Sequence, residues 1–379
     1  MRVLMTGGGT GGHVYPALAI AELIKMNDPE AEIAFVGTEK GIENRLVPKE
    51  GYKLYHVQIQ GIRRSLSPSN LKTAYLILVS PGRAKKIIRE FRPDIVIGTG
   101  GYACWPLLKA AASMGIPTVV HESNALPGLA VRQLQGKIDL ILTNFADTVN
   151  LLKAKEKVVN VGNPLRKTCA TVSREDARKA LGIPDHVKSV ILSFGGSLGA
   201  PSINEAAADV MDGFSARRED VMHFHATGSK NVEQFRGLKV RKQLPETESV
   251  KVSDYIYDMP TYMAAADLVI CRAGAMTLTE VARMKKAAIL IPSPYVTDNH
   301  QYKNAKVLAD AGAACLIEEK DLSADRIVEA VKDLLEDRER RDAQCKAVAA
   351  FANPDVEKRI WQEITGLLRR KSLTSSEER

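Results

Sequence analysis

The chain has 379 residues, 45% of them hydrophobic and 26% charged, the balance of a soluble globular protein long enough for two separate cores. Its net charge of +8 fits a phosphorylated ligand or an anionic membrane surface, while the lack of a basic tract interleaved with aromatics argues against nucleic acid. Cys104, Cys169, Cys271, Cys315 and Cys345 are scattered without a Cys-x-x-Cys pair, which argues against a disulfide framework or metal site and reads as core-filling thiols in a reducing cytosol.

The first predicted strand, 2–6, runs straight into Gly7-Gly8-Gly9-Thr10-Gly11-Gly12-His13, so no signal peptide is expected. Glycines in this place let the backbone turn tightly and let N–H groups and a helix start approach an anion. Gly7, Gly9 and Gly12 also fit G-x-G-x-x-G, a weak dinucleotide signal when taken alone. A helix follows over 15–26. His13 stands at its start, where the dipole favours the neutral imidazole that can accept a proton; a helix-capping histidine would look the same in sequence.

Strands at 32–36, 94–97, 118–120 and 140–142 alternate with helical stretches such as 82–91, the pattern of an open parallel sheet covered on both faces. Gly98-Thr99-Gly100-Gly101-Tyr102 and His121-Glu122-Ser123-Asn124 follow two of these strands, at the edge where such sheets bind ligands. Ordinary turns and helix caps use the same residues. Leu71, Tyr75, Leu76, Leu78 and Val79 lie just before Arg83, Lys85, Lys86, Arg89 and Arg92, which reads either as a core helix–loop–helix or as an apolar and basic membrane-docking surface. Runs such as 74–79 and 287–292 fall short of the roughly 20 apolar residues of a membrane span.

Asn163-Pro164 marks a break, and the scheme then repeats. The strand at 189–193 leads into a second glycine loop, Gly195-Gly196-Ser197-Leu198-Gly199-Ala200, and further strands are predicted at 221–225, 250–252, 268–270 and 288–291. The segment 271–280 opens a helix and ends in Glu280, a carboxylate suited to both hydroxyls of a ribose. Thr277 and Glu280 equally make a capping box. Segment 299–304, with Gln301, offers amide donors for sugar hydroxyls or a further helix start. After Asn353-Pro354, Val356, Ile360, Ile364, Leu367 and Leu368 fall on one helical face. The expected organisation is a first domain over 1–163, a second over 164–352, a helix over 353–369 crossing back to the first, and a disordered tail over 370–379. No Asp-x-Asp pair occurs, so neutralisation of a diphosphate is expected from helix ends and backbone N–H groups, without a metal or other cofactor.

Taken in order, these motifs together with Val161-Gly162-Asn163-Pro164-Leu165-Arg166 resemble the bacterial N-acetylglucosaminyltransferases of peptidoglycan synthesis, which convert lipid I to lipid II; the likeness covers nearly the whole chain. The resemblance implies a GT-B fold, two Rossmann-like doubly wound domains facing a central cleft. It implies UDP-N-acetylglucosamine held through Ser197, the Ile256 backbone, Ala275, Met276, Thr277, Leu278, Thr279, Glu280 and Gln301, with Asn124, Arg166, Thr10, Gly11 and Gly12 contributing. It places the acceptor diphosphate of lipid I near Gly100, Gly101 and Tyr102, and makes His13 the candidate base or acceptor organiser. A peripheral position on the cytoplasmic face of the membrane follows, with cell-wall synthesis proteins as candidate partners. Ser123 and Leu198 stand where the family often has Gln, and a single Gln at 301 where some members have two, which puts donor contacts by those amides in doubt.

The implied reaction is a single inverting displacement, in which the C4 hydroxyl of the muramyl sugar attacks the anomeric carbon and UDP departs. The rival readings are an NAD-dependent oxidoreductase using Glu39 as the acid after the second strand, a non-catalytic sugar-nucleotide-binding subunit, and a related UDP-sugar epimerase. The first leaves the second glycine loop and Glu280 without a role.

Overall fold

The computed structural model describes residues 1–60, 69–165, 172–196 and 198–377, without the side chains of 69–72, 297 and 374–377. Arg166 and Ser197, expected to contact the donor, and Leu71 of the apolar cluster therefore lie outside what is described. Two compact units are present, Met1–Arg166 with Asn353–Arg379, and Lys167–Ala352.

The first unit runs β1 (Arg2–Thr6), α1 (Gly11–Asn27), β2 (Glu32–Gly37), α2 (Glu43–Lys49), β3 (Lys53–His56), α3 (Ser69–Phe91), β4 (Ile95–Gly98), α4 (Cys104–Ser113), β5 (Thr118–Glu122), α5 (Leu129–Leu134), β6 (Leu140–Thr143) and β7 (Val158–Asn160). Among the described residues its strands form one parallel sheet in the order β3-β2-β1-β4-β5-β6-β7. The central strands are buried along almost their whole length, as helices on both faces require, and so read as continuous apolar runs. The edge strands β3 and β7 are only four and three residues long and partly exposed, which is why no long apolar run announces them.

The second unit runs α6 (Arg174–Ala180), β8 (Ser189–Phe194), α7 (Pro201–Gly213), β9 (Val221–Ala226), α8 (Val232–Arg241), β10 (Val250–Ser253), α9 (Met259–Ala265), β11 (Leu268–Cys271), α10 (Ala275–Arg283), β12 (Ala287–Leu290), α11 (His300–Asp310), β13 (Cys315–Leu316), α12 (Ala324–Glu336) and α13 (Arg338–Ala349). Its parallel sheet has the order β10-β9-β8-β11-β12-β13 among the described residues. In both sheets the order reverses once, between β1 and β4 and between β8 and β11. At such a point the flanking helices diverge to opposite faces and leave a crevice beyond the strand carboxyl ends.

The chain ends in α14 (Val356–Glu377), whose Val356, Ile360, Ile364 and Leu367 are buried in the same core cluster as Ala17, Ile20, Ala21 and Ile24 of α1. Burial of each large aliphatic side chain contributes roughly 1.5–3 kcal/mol, so this helix completes the first unit although it follows the second in sequence. The expectation of a disordered tail from residue 370 is corrected: α14 continues to Glu377, with Lys371 paired to Asp139 at 2.8 Å. The helix is already nucleated by its buried stripe and carries on through residues 370–373, which are exposed. No helix among the described residues is long and apolar enough to cross a membrane.

Candidate active site

At the β1/β4 switch point the first glycine loop meets the turn 99–103. Thr99 ties the two together, its N–H donating to Thr6 O at 2.8 Å and its hydroxyl to His13 O at 2.6 Å. Gly9 has φ +87°, Gly100 +102° and Gly101 +81°, conformations that favour glycine. A Cβ on Gly100 would press on the His13 ring, 2.7 Å from Cδ2, and one on Gly9 would lie 2.9 Å from the Tyr102 ring, so these glycines let His13 and Tyr102 close over the loop. Helix α1 starts at Gly11 after Thr10, with neither a side-chain cap nor an acidic residue in its first turn. Its first N–H groups and positive dipole end therefore suit an anion.

His13 Nδ1 lies 3.2 Å from Gly8 O and 3.2 Å from Thr10 Oγ1. A carbonyl oxygen can only accept, so Nδ1 carries the ring proton and the lone pair of the neutral imidazole is on Nε2. This is the tautomer a general base uses.

The 121–124 segment at the end of β5 is self-supporting. Glu122 accepts from the Asn124 N–H at 2.9 Å, the Asn124 side-chain amide at 3.2 Å and the Gly128 N–H at 2.7 Å. Burial pushes its carboxyl up while these bonds pull it down, with a net rise. His121, completely buried, donates from Nε2 to Gly162 O at 2.8 Å, and burial lowers it to about 4. These two residues are braces for the turn that carries Asn124.

In the second unit the loop after β8 interlocks with the turn after β9. Gly199 (φ +74°) and Gly228 (φ +81°) cross so closely that a Cβ on either would overlap the other's backbone or Thr227 O. Asn231 fixes the loop further, donating from Nδ2 to Leu198 O at 2.8 Å. Helix α7 starts at Pro201 after Ala200, again with neither a side-chain cap nor a first-turn acid, giving a second anion-receptive helix end. Arg272, just past β11, donates to Ile291 O at 3.0 Å and Ser202 Oγ at 2.7 Å and pairs with Glu319 at 2.7 Å. It thereby ties together the segments following β8, β11, β12 and β13.

Helix α10 begins at Ala275 after Gly274, so Thr277 already lies inside the helix. The capping-box reading of Thr277 and Glu280 is thereby corrected, because that box requires the threonine at the non-helical cap position. Thr279 bonds back to Ala275 O at 3.0 Å. Glu280 accepts no hydrogen bond among the described residues, and desolvation raises its carboxyl to about 7. Gln301, on α11, accepts the Ser293 N–H on Oε1 at 2.9 Å, which turns its amide NH₂ away as a donor. Ile256, buried, follows β10 beside the Tyr255–Tyr257 edge contact, ring centroids 4.8 Å apart. Ala275, Met276 and Leu278 line the first turns of α10.

The two switch points thus gather Thr10, Gly11, Gly12, His13, Gly100, Gly101 and Tyr102 in one unit, and the Gly195 loop with Ala275–Glu280 in the other. Sequence reasoning missed Glu43, Asn231 and Arg272. For Glu43 the available signal is the pair Gly37 and Gly41 between β2 and α2, where a Cβ at either position would run into the Glu43 side chain. Glu39, the acid that the oxidoreductase reading would use after the second strand, is exposed and accepts from Gln58 at 3.3 Å. Among the described residues no three His, Cys, Asp or Glu side chains gather as a metal site.

Two doubly wound units, each with a glycine loop and an open helix end at its switch point, make the GT-B fold, and the family matches make the chain a glycosyltransferase. Residues 3–143 match the glycosyltransferase family 28 N-terminal domain and residues 190–360 its C-terminal domain. The chain belongs to the family of UDP-N-acetylglucosamine–N-acetylmuramyl-(pentapeptide) pyrophosphoryl-undecaprenol N-acetylglucosamine transferases. A so-named protein of Acetivibrio thermocellus is 40% identical over 98% of this chain and 100% of its own length, and one of Thermoanaerobacter sp. 41% identical over 97% and 100%. The crystal structure of Acinetobacter baumannii MurG superposes with a TM-score of 0.75 at 30% identity, over 96% of this chain and 99% of that one. The UDP co-structure of S. aureus MnaA reaches 0.70 at 17% identity, covering 97% of each chain, and shares the fold alone.

Proposed function

We propose that this protein transfers N-acetylglucosamine from UDP-N-acetylglucosamine to the C4 hydroxyl of the muramyl sugar of undecaprenyl-pyrophosphoryl-N-acetylmuramyl-pentapeptide, with inversion. The observation that carries the reading is Glu280, a carboxylate that accepts no hydrogen bond among the described residues, at the switch-point helix of the second unit, beside a glycine loop and an open helix end suited to a diphosphate. The ribose hydroxyls donate to Glu280, the Ile256 backbone reads the base, and the Gln301 amide donates to the sugar. The α1 and α7 helix ends neutralise phosphate charge without a metal. His13 Nε2 takes the proton of the attacking hydroxyl. Incubation with UDP-N-acetylglucosamine and a lipid I analogue should release UDP and form a β-1,4 disaccharide; hydrolysis of the donor alone would refute the acceptor assignment.

Glu280 gives this reading a pH signature. Hydroxyl donors favour the ionised carboxylate, so UDP affinity should rise with pH through about 7 and level off above it. Hydrogen bonds to a charged acceptor contribute roughly 1.5–3 kcal/mol each. Glu280→Gln should therefore bind UDP at least about tenfold more weakly at pH 8, lose the pH dependence, and no longer prefer UDP over an analogue lacking ribose hydroxyls. Calorimetric titration at several pH values checks this, and an unchanged pH profile in the variant removes Glu280 from the ribose.

The lipid-linked acceptor requires a membrane-facing surface, and α3 supplies one. Tyr75 is 60% and Leu78 80% exposed, whereas Leu76 is buried and belongs to the core. At 3.6 residues per turn, Tyr75, Leu78, Lys85, Lys86 and Arg89 fall within roughly 100° of one helix face. This stripe lays two apolar side chains into the cytoplasmic leaflet and three cations on anionic headgroups, at about 1 kcal/mol per basic residue. Co-sedimentation with anionic vesicles should weaken with salt and with Lys85→Glu/Lys86→Glu; salt-insensitive binding would move the docking surface elsewhere.

A further inference from the structure

We propose that Glu43 is a positioning residue for His13, acting through the single peptide group that joins Gly8 to Gly9. Glu43 is the first residue of α2 and only 1% exposed, with its carboxylate turned back beneath the first glycine loop. Oε1 accepts the Thr38 N–H at 2.8 Å and the Thr38 hydroxyl at 2.9 Å. Oε2 accepts the Gly9 N–H at 3.1 Å. The carbonyl at the other end of that same peptide, Gly8 O, is the acceptor for His13 Nδ1 at 3.2 Å. Carboxylate, peptide and imidazole therefore form one chain of hydrogen bonds, each pointing the same way.

The surroundings are built to admit this carboxylate. A Cβ on Gly41 would overlap both its oxygens, one on Gly37 would crowd Cγ, and one on Gly8 would come within 2.8 Å of Oε1. Among the described residues no cation pairs with it, so its partners are the Thr38 and Gly9 donors. An anion at the N–H end of a peptide polarises it and makes the carbonyl a stronger acceptor. The stronger Gly8 O holds the proton on Nδ1 and steadies the positive charge the ring gains when Nε2 takes a proton. A carboxylate bonded directly to a histidine does this in acyl-transfer triads; here a peptide group is interposed. Glu43 also occupies the Gly9 N–H, which leaves the N–H groups at the α1 start to meet an anion.

The consequence for catalysis rests on the reading of His13 as the base, but the linkage itself can be measured without turnover. In the full-length protein with ¹⁵N-labelled histidine, the neutral His13 ring should give the nitrogen shifts of the Nδ1–H tautomer. In Glu43→Gln the two Thr38 donors retain the amide oxygen, so the NH₂ faces the Gly9 N–H, donor against donor, and the peptide must turn. His13 should then show mixed tautomers, and kcat should fall about 10–100-fold while KM for UDP-N-acetylglucosamine stays within about twofold. Should Glu43→Gln not fold, Glu43→Asp carries the same test, since it keeps the charge but withdraws it from Gly9 by one methylene. Retention of the pure Nδ1–H tautomer in a folded variant overturns the proposal, as does a loss of kcat accompanied by an equal loss of donor affinity and thermal stability. A tautomer change in Glu43→Gln combined with normal turnover of His13→Ala supports the linkage and overturns only the assignment of His13 as base.

Discussion

Replacing His13 by alanine is expected to lower turnover by about 10²–10⁴-fold, the usual contribution of a positioned general base, with UDP affinity nearly unchanged. The residue is fixed at ring and backbone. Its Nδ1 meets Gly8 O and Thr10 Oγ1, its Cδ2 edge lies against Gly100, and its backbone carbonyl accepts from Thr99. Those contacts orient Nε2, and they belong to the first unit, whereas Glu280, Gln301 and Ile256 belong to the second. Steady-state kinetics with varied donor and varied acceptor separate the two contributions. A variant with near-normal kcat would reduce His13 to a packing residue of the glycine turn, and one whose loss is confined to acceptor KM would make it an organiser of the acceptor diphosphate. Asparagine at position 13 keeps a donor near Gly8 O but supplies no base, so His13→Asn should be as slow as His13→Ala if proton transfer is what is lost.

The second large effect is acid sensitivity of the second unit. His223 and His225 are completely buried on β9, and burial lowers both to about 3, with His225 also opposing a charge on His223. Their protons follow from their partners. His225 Nδ1 donates to Ser193 O at 3.1 Å, and Ser193 Oγ lies 2.8 Å from both His225 Nδ1 and His223 Nε2. Ser193 therefore donates to His223 Nε2, and His223 Nδ1 donates to Ser215 Oγ at 3.0 Å. The chain has no place for another proton except His225 Nε2, which is buried with no hydrogen-bond partner among the described residues. Because the folded values lie below the unfolded value of about 6.5, the unfolded chain binds more protons. Stability is then fully present above about pH 6.5 and is lost as the pH falls toward 3.

At pH 5 each such histidine costs about 2 kcal/mol, from 1.5 pH units at 1.36 kcal/mol each. Two of them cost the second unit about 4 kcal/mol, a large share of the 5–15 kcal/mol that holds a typical domain together. The first unit has His121 under the same constraint, at about 4, and loses roughly half as much there. Glu280 of the same unit works against this loss, because its folded carboxyl at about 7 takes up a proton that the unfolded chain, at about 4.3, binds less. Urea unfolding followed between pH 7.5 and 5 in a Glu280→Gln background therefore isolates the histidine contribution. His225→Phe, placed against Phe235 with which the imidazole already packs at 4.8 Å, should reduce the slope of stability with pH by about 1.4 kcal/mol per unit. An unchanged slope would mean that His225 is not the titrating group.

Much of the fold is legible in the sequence because its information is local. Buried parallel strands need unbroken apolar runs, so 2–6, 189–193 and 268–270 announce themselves, and glycines after a strand mark turns that only glycine makes cheaply. The edge strands β3, β7 and β13 do not, since they are only two to four residues long and exist by pairing with a neighbour. The helical stripe of α14 is readable; how far the helix runs past residue 370 is not, because its polar end is held by contacts such as Lys371 with Asp139.

The candidate site divides in the same way. Residue types and motif order by themselves determine that two glycine-rich loops, a histidine at a helix start and a carboxylate after a strand are present. Only the tertiary structure decides what each does with its hydrogen bonds. Thr277 lies within α10 instead of capping it, because the helix starts at Ala275. Glu39, the nearer acid after β2, is exposed, while Glu43 reaches back beneath Gly9 across 34 residues of chain. Hydrogen-bond assignment depends on distances of about 3 Å between atoms remote in sequence, and no periodicity or spacing encodes those. The sequence specifies which groups are available, and packing chooses their partners.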